Sequence, residues 1–229
     1  MLAGDKVLAK RILSFHGVRT PEFAAVHRGA LETADSLHFP LIVKPPQEDA
    51  SIGIASSSVV RDLNELLTRM DEIQRQHPGP ILVERYVEGR EFYVGVLGNE
   101  EAVALPPAEL DMSSYPEGVP RVASWSAKWE EEHEEFAGCR VIFPEDLDPA
   151  LADRMRTVAV EAFRALRLRD YARVDLRMDE SGELFVLEVN PNCYLAYGEV
   201  FAEAAERAGL SYEALIGRII ELAMGRYTR

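Results

Sequence analysis

Tyr171–Asn192, YARVDLRMDESGELFVLEVNPN, decides the fold. It reads as two short strands joined by a turn at Asp179-Glu180-Ser181-Gly182, because each flank alternates in the period-2 pattern of a half-buried strand. On the first strand Arg173, Asp175 and Arg177 face one way, with Ala172, Val174, Leu176 and Met178 facing the other. On the second, alternation puts Leu184, Val186, Glu188 and Asn190 on one face and Phe185, Leu187 and Val189 on the other. A four-residue loop pairs Met178 with Glu183, which sets Arg173 opposite Glu188 and Asp175 on its diagonal. A slip of one residue would press Arg173 and Asp175 against Phe185 and Leu187, so the burial pattern argues for this register.

Asp175, Glu188 and Asn190 then share a face. Two carboxylates and an amide oxygen are hard ligands suited to Mg²⁺ or Mn²⁺. The plain alternative is a surface hairpin whose polar face meets water. Glu188 argues against it, since this carboxylate interrupts the apolar run Leu184 to Val189, where an unpaired charge is costly. A metal, with Arg173 nearby, would remove that cost.

The 229 residues suffice to bury roughly 70% of the unfolded surface, as one large domain or as two lobes sharing a core. A composition 47% hydrophobic and 28% charged is that of an ordinary globular chain. The net charge of −14 argues against nucleic acid and against an anionic membrane. No apolar run has the length of a spanning helix, and Met1 to Lys10 lacks the layout of a signal peptide. Cys139 and Cys193 are far apart, so the expected location is the reducing cytoplasm. The five histidines are scattered singly, which disfavours zinc, and neither a Walker A sequence nor GxGxxG occurs.

Along the chain, Asp5 to Phe15 reads as a helix capped by Asp5, with Leu8, Ile12 and Phe15 on its buried face and Gly17 past its end. Lys6 opens that helix, where the dipole disfavours a cation; it is a solvated lysine unless an anion lies near. Phe23 to Val26 reads as a strand, Leu31 to Leu37 as a short helix, and Phe39 to Lys44 as a buried strand whose closing lysine either snorkels or meets an anion. Gln47 to Gly53, QEDASIG, is a small-residue loop that can fold over phosphates, with Ser51 and Gly53 as donors, or serve as a surface turn. Asp62 to Gln76 is helical, with Leu63, Leu66, Leu67, Met70 and Ile73 at helical spacing, and Ile81 to Val87 follows as a strand. Glu109 to Phe143 is irregular and contains the acidic run Glu130–Glu135, read as a solvated face. Asp148-Pro149 opens an amphipathic helix through Leu166, and two helices, Glu199 to Ala208 and Ser211 to Met224, close the chain.

With these residues in place the chain resembles the ATP-grasp ligases, most closely the ATP-binding part of the D-alanine–D-alanine ligase family. The resemblance runs from about Asp5 to Asn192. Its most specific part is an ordered set: a strand ending in Lys44, the segment ILVERYVEGREF, then Arg173-x-Asp175 and Glu188-x-Asn190. The resemblance implies an α+β architecture of two lobes, residues 1–87 and 88–229, each with an antiparallel sheet flanked by helices and with ATP between them. It implies that Lys6 and Lys44 meet the phosphates, that Ser51 and its loop close over them, and that Lys128 is a further phosphate-side lysine. Glu84, Arg85, Tyr86 and Val87 would form the adenine hinge, and Glu91 would take the ribose hydroxyls. Asp175, Glu188 and Asn190 would hold two Mg²⁺, replaceable by Mn²⁺, with Arg173 facing the reacting oxygen.

The activity so implied is carboxylate–amine ligation through an acyl phosphate, with ADP and phosphate as products. Small-molecule carboxylates and amines are the implied partners. These ligases carry an additional N-terminal substrate domain that this sequence lacks, so a homodimer or a partner chain supplying it enters the expectation. A second departure follows Asn190, where a small, flexible loop of these ligases grips the second substrate and this chain has Pro191 to Tyr197 with bulky aromatics. Two alternatives stand beside ligation: a nucleotide-binding regulatory or scaffold module, and a small-molecule kinase on the same fold.

Overall fold

Two antiparallel sheets organise the chain, and the cleft between them holds most of its buried charge. The computed structural model describes residues 2–27, 30–34, 36–45, 54–77, 79–123 and 139–226. The first sheet has the order β2 (Ala30–Ala34), β1 (Phe23–His27), β5 (Ile81–Arg85), β3 (Leu41–Lys44) and β4 (Val59–Val60). The second runs β11 (Leu184–Asn190), β10 (Asp170–Met178), β6 (Arg90–Gly98), β8 (Ala108–Asp111) and β9 (Arg140–Ile142), with β7 (Val103–Ala104) also paired to β6. The expected short helix over Leu31–Leu37 is instead strand β2, hydrogen-bonded to β1 at the sheet edge. Ladder pairing outweighs local preference there, because the open edge of β1 offers unpaired backbone groups.

Each sheet buries one face under a helix. Helix α2 (Leu63–Gln76) is capped by the Asp62 carboxylate and lays Leu66, Met70 and Ile73 on Leu41, Val43, Ile81 and Val83. Leu63 and Leu67, at the same helical spacing, stay exposed. Helix α3 (Pro149–Ala165) starts with proline in its first turn and Asp148 as cap. It buries Met155, Ala159, Ala162 and Phe163 against Phe92, Val94 and Val96 of β6 and Ala172, Val174 and Leu176 of β10. The opposite face of β6 points Glu91 and Tyr93 toward the cleft, while Gly95 lies beneath Phe201 of helix α4 (Val200–Arg207). Helix α5 (Tyr212–Gly225) packs Leu215 beside α4. Among the described residues no helix is long and apolar enough to cross a membrane.

Helix α1 (Lys6–Phe15) has the predicted Asp5 cap, with Oδ1 accepting from Val7 and Leu8, but not the predicted buried face. Phe15 is 86% exposed and Leu8 40%, whereas Lys6, Val7, Ala9, Lys10 and Leu13 are buried. Ala9 and Leu13 join the core of the second sheet, and Val7 packs with Phe23, Ala25 and Leu82 of the first. The helix is turned this way by its lysines. Lys10 Nζ lies 3.0 Å from Glu84 on β5, whose other oxygen is 2.8 Å from Lys44 Nζ on β3. Burial pushes the Glu84 carboxyl up and the ammonium groups of Lys10 and Lys44 more than offset it, leaving it below the ordinary carboxylate value. Burial likewise lowers Lys10, with Glu84 opposing the shift.

A carboxyl depressed in the folded state stabilises the fold above its unfolded value, about 4.5 for Glu84, and that stability is lost as pH falls through the folded value. Glu22 and Asp111, also depressed, act in the same direction. Thermal midpoints are therefore expected to drop steadily below about pH 4.5, and a flat acid limb would contradict the pairing. Gly89, between Val87 and β6, has φ +141°, and an added Cβ would lie 1.9 Å from the Met178 carbonyl oxygen. Gly89→Ala is expected to destabilise by at least about 2 kcal/mol in urea unfolding.

Candidate active site

The hairpin of β10 and β11 has the predicted turn but a different register. Met178 pairs with Leu184 rather than Glu183, and the ladder shifts between Asp175 and Leu176 so that Leu187 has no partner. The extra residue is a β-bulge, and it reverses the alternation of β11. Leu184, Val186 and Val189 therefore lie in the core, while Leu187 and Glu188 line the cleft. Strict alternation had grouped Leu184 and Val186 with Glu188. The bulge also moves Asp175 from the diagonal to the position directly opposite Glu188, and sets Arg173 opposite Asn190. Asp175, Glu188 and Asn190 share a face, as expected: Asn190 Nδ2 is 3.1 Å from Asp175 Oδ2 and 3.3 Å from Glu188 Oε1.

Two cations neutralise this pair, each on a different carboxylate. Arg173 grips Asp175 through two hydrogen bonds, Nε to Oδ1 at 2.7 Å and Nη2 to Oδ2 at 2.8 Å, with its guanidinium 4.4 Å from the Tyr93 ring centroid. Burial would lower Arg173, but the Asp175 carboxylate raises it further, so it stays charged. Lys6, 6% exposed, reaches Glu188 Oε2 at 3.0 Å. The anion that the sequence reading required for a buried Lys6 is thus Glu188, the carboxylate that had seemed unpaired.

Lys6, Asp175 and Glu188 line a cleft of about 710 Å³ that is open to solvent. Lys44, Glu84, Arg85, Tyr86, Val87 and Glu91 line it as well, together with Ile42, Ile54, Val122, Ala123 and Arg177. Arg173 and Asn190 stand behind Asp175. The Glu84 side chain is 1% exposed and holds Lys10 and Lys44. Arg85 pairs with Glu22 at 2.5 Å and stacks 4.6 Å from the Phe185 centroid. Glu91 accepts from Tyr93 at 3.2 Å and pairs with Arg177 at 2.6 Å. Burial, with Glu91 and Asp175 adding to it, raises the Tyr93 hydroxyl well above its usual value, so it remains a donor.

Ser51 with its loop, Lys128 and the acidic run Glu130–Glu135 lie outside the described residues. Cys193 is buried, and burial pushes its thiol up to about 12, which disfavours a thiolate nucleophile there. Tyr194 and Tyr197 are exposed, with Tyr197 edge-on to Tyr212 at 5.5 Å. Sequence reasoning missed Lys10 and Arg177. Lys10 follows Lys6 by one helical turn, the spacing that puts both on one face. Arg177 continues the every-second-residue row of Arg173 and Asp175.

The donor chemistry fits a hard divalent cation: two opposed carboxylates on the wall of a cleft, with the Asn190 amide beside them. Among the described residues no group of three His, Cys, Asp or Glu side chains converges, and the Asn190 amide donates through Nδ2 to both carboxylates. The ammonium groups of Lys6 and Lys44, each held on a carboxylate at the cleft wall, fit an anionic ligand.

Comparison with known proteins identifies the family. The family model described as "D-ala D-ala ligase C-terminus" matches residues 12–221. The uncharacterized protein y4sG of Sinorhizobium fredii is 37% identical, over 99% of this chain and 64% of that protein. The D-alanine–D-alanine ligase of Alcanivorax borkumensis is 33% identical, over 97% of this chain and 65% of the enzyme. The chain thus spans about two thirds of the length of these relatives. In three dimensions, D-alanine–D-alanine ligase from Bacillus anthracis complexed with ATP superposes with a TM-score of 0.75 at 24% identity, covering 97% of this chain and 66% of that one. VanG D-Ala:D-Ser ligase from Enterococcus faecalis gives 0.77 at 24%, covering 96% and 62%. With nearly its whole described length matched in sequence and in fold, the chain belongs to the D-alanine–D-alanine ligase C-terminal family and has the ATP-grasp fold.

Proposed function

We propose that the chain is the catalytic part of an ATP-dependent carboxylate–amine ligase acting on an amino acid or related small acid. The observation that carries this reading is the lining of one cleft by opposed Asp175 and Glu188 together with Lys6 and Lys44. The relatives named as D-alanine–D-alanine ligases supply the reaction class. A substrate carboxylate attacks the γ-phosphoryl group, giving an acyl phosphate and ADP; an amine then attacks the acyl carbon and phosphate leaves.

In this reading Lys6 and Lys44 bind the phosphates, exchanging their carboxylate partners for phosphoryl oxygens. Glu84 keeps Lys10 as its counterion when Lys44 turns to the ligand, so the exchange leaves no bare buried charge. Tyr86 and Val87 offer the hinge for the base, and Glu91 the ribose acceptor. Asp175, Glu188 and Asn190 would hold Mg²⁺, two ions in the family pattern and replaceable by Mn²⁺. The metal's contribution is to neutralise charge spreading over the transferring oxygens. Arg173, already charged and fixed on Asp175, stands beside that charge and stabilises it.

Binding is tested by thermal unfolding with Mg²⁺ and a non-hydrolysable ATP analogue. At about a hundred times the dissociation constant the ligand should add roughly 2.7 kcal/mol, a midpoint rise of about 5–10 °C, and only with the metal present. No rise at saturating analogue would overturn the reading. Chemistry is tested by ADP release with candidate carboxylates and amines. Lys44→Ala or Asp175→Asn should lower it at least about a hundredfold, and full activity in either variant would remove that residue from the site.

A further inference from the structure

The part of the cleft lined by Tyr86, Val87 and Glu91 is built around Arg177, to which the resemblance assigns no role. Its side chain is 3% exposed and lies on β10 two residues beyond Asp175, on the same face. Four interactions fix the guanidinium. Nε donates to the Val87 carbonyl at 3.0 Å, Nη1 pairs with Glu91 Oε2 at 2.6 Å, and Nη2 donates to the Arg121 carbonyl at 2.5 Å and to the Tyr86 hydroxyl at 3.4 Å. The Tyr86 hydroxyl in turn donates to the same Arg121 carbonyl at 3.1 Å. Tyr115 secures the next residue, its hydroxyl donating to the Val122 carbonyl at 2.7 Å.

One planar side chain thus joins three stretches that are remote in sequence: the Tyr86–Val87 crossing between the sheets, Glu91 on β6, and the Arg121–Ala123 wall. Tyr86, Val87, Glu91, Val122 and Ala123 line the cleft, and Arg121 adjoins them. A lysine has the charge but not the fork, and reaches only part of this set. A buried ion pair serving stability alone gains little over apolar packing. The three further acceptors point to shape: the width between hinge and wall, and the orientation of the Glu91 carboxylate.

We propose that Arg177 is a positioning residue for the base and ribose of the nucleotide. It braces the hinge against the Arg121–Ala123 wall and holds Glu91 in one orientation, without reaching the phosphates. This rests on the nucleotide reading of the cleft given above.

The test compares two probes on the full chain by calorimetric titration with Mg²⁺: a non-hydrolysable ATP analogue, and inorganic tripolyphosphate, which has no base or ribose. Arg177→Met and Arg177→Lys are measured beside the parent chain, with thermal midpoints as the folding control. The Lys variant keeps a cation beside Glu91, so it remains informative where Met fails to fold. Analogue binding should weaken by about ten- to a hundredfold, the scale of lost hydrogen bonds to a charged group. Tripolyphosphate binding should stay within about twofold, and Lys should recover only part of the loss. In turnover, KM for ATP should rise while kcat is kept. Equal weakening of both probes, or no weakening of either, overturns the proposal. A parent chain that binds tripolyphosphate but not the analogue would instead overturn the nucleotide reading itself.

Discussion

One unpaired residue, Leu187, sets the chemistry of the cleft. By adding a residue to β11 it turns Glu188 and Asn190 away from the core that Leu184 and Val186 occupy, and places Glu188 directly across from Asp175. Two carboxylates facing each other across a strand pair repel, so the surrounding structure must deliver positive charge. Arg173 supplies it from the same strand as Asp175, and Lys6 from helix α1. The orientation of α1 follows from that demand. Its outward face carries Leu8 and Phe15, while two lysines occupy buried positions that hydrophobic spacing alone would not assign to them.

The same logic runs through the rest of the cleft. Glu84 is nearly inaccessible, and an isolated buried carboxylate would be far too costly; with Lys10 and Lys44 on its two oxygens it joins α1, β3 and β5. Glu91 and Arg177 do the same for β6 and β10, and Arg177 adds the Tyr86–Val87 crossing. Each pair draws its members from different elements, so electrostatics and architecture are coupled at the cleft. In a chain of net charge −14 the cations of this cleft are each matched by a carboxylate, Lys6 by Glu188, Lys44 by Glu84 and Arg177 by Glu91.

Much of the candidate site was legible as residue types at fixed spacings. Lys44 at the end of an apolar strand, the Glu84–Val87 segment and the Arg173-x-Asp175 row all lie where their patterns suggested, on the walls of one cleft or immediately behind them. Lys10 and Arg177 were harder to read. A lysine in a helix and an arginine in a strand are ordinary surface residues until the partner that buries them is known. Those partners, Glu84 and Glu91, are 74 and 86 positions away.

The sequence by itself determined the element boundaries marked by caps and turns, the apolar face of β10, and the shared face of Glu188 and Asn190. These are local properties, carried by side-chain period and turn chemistry. Only the tertiary structure decided the bulge at Leu187, the inward turn of the α1 lysines, the edge strand at Ala30–Ala34 and the partners of Arg177. Each depends on which distant group offers a hydrogen bond or a countercharge. The free energy of burying a charge is set by that partner, and no period along the chain encodes it.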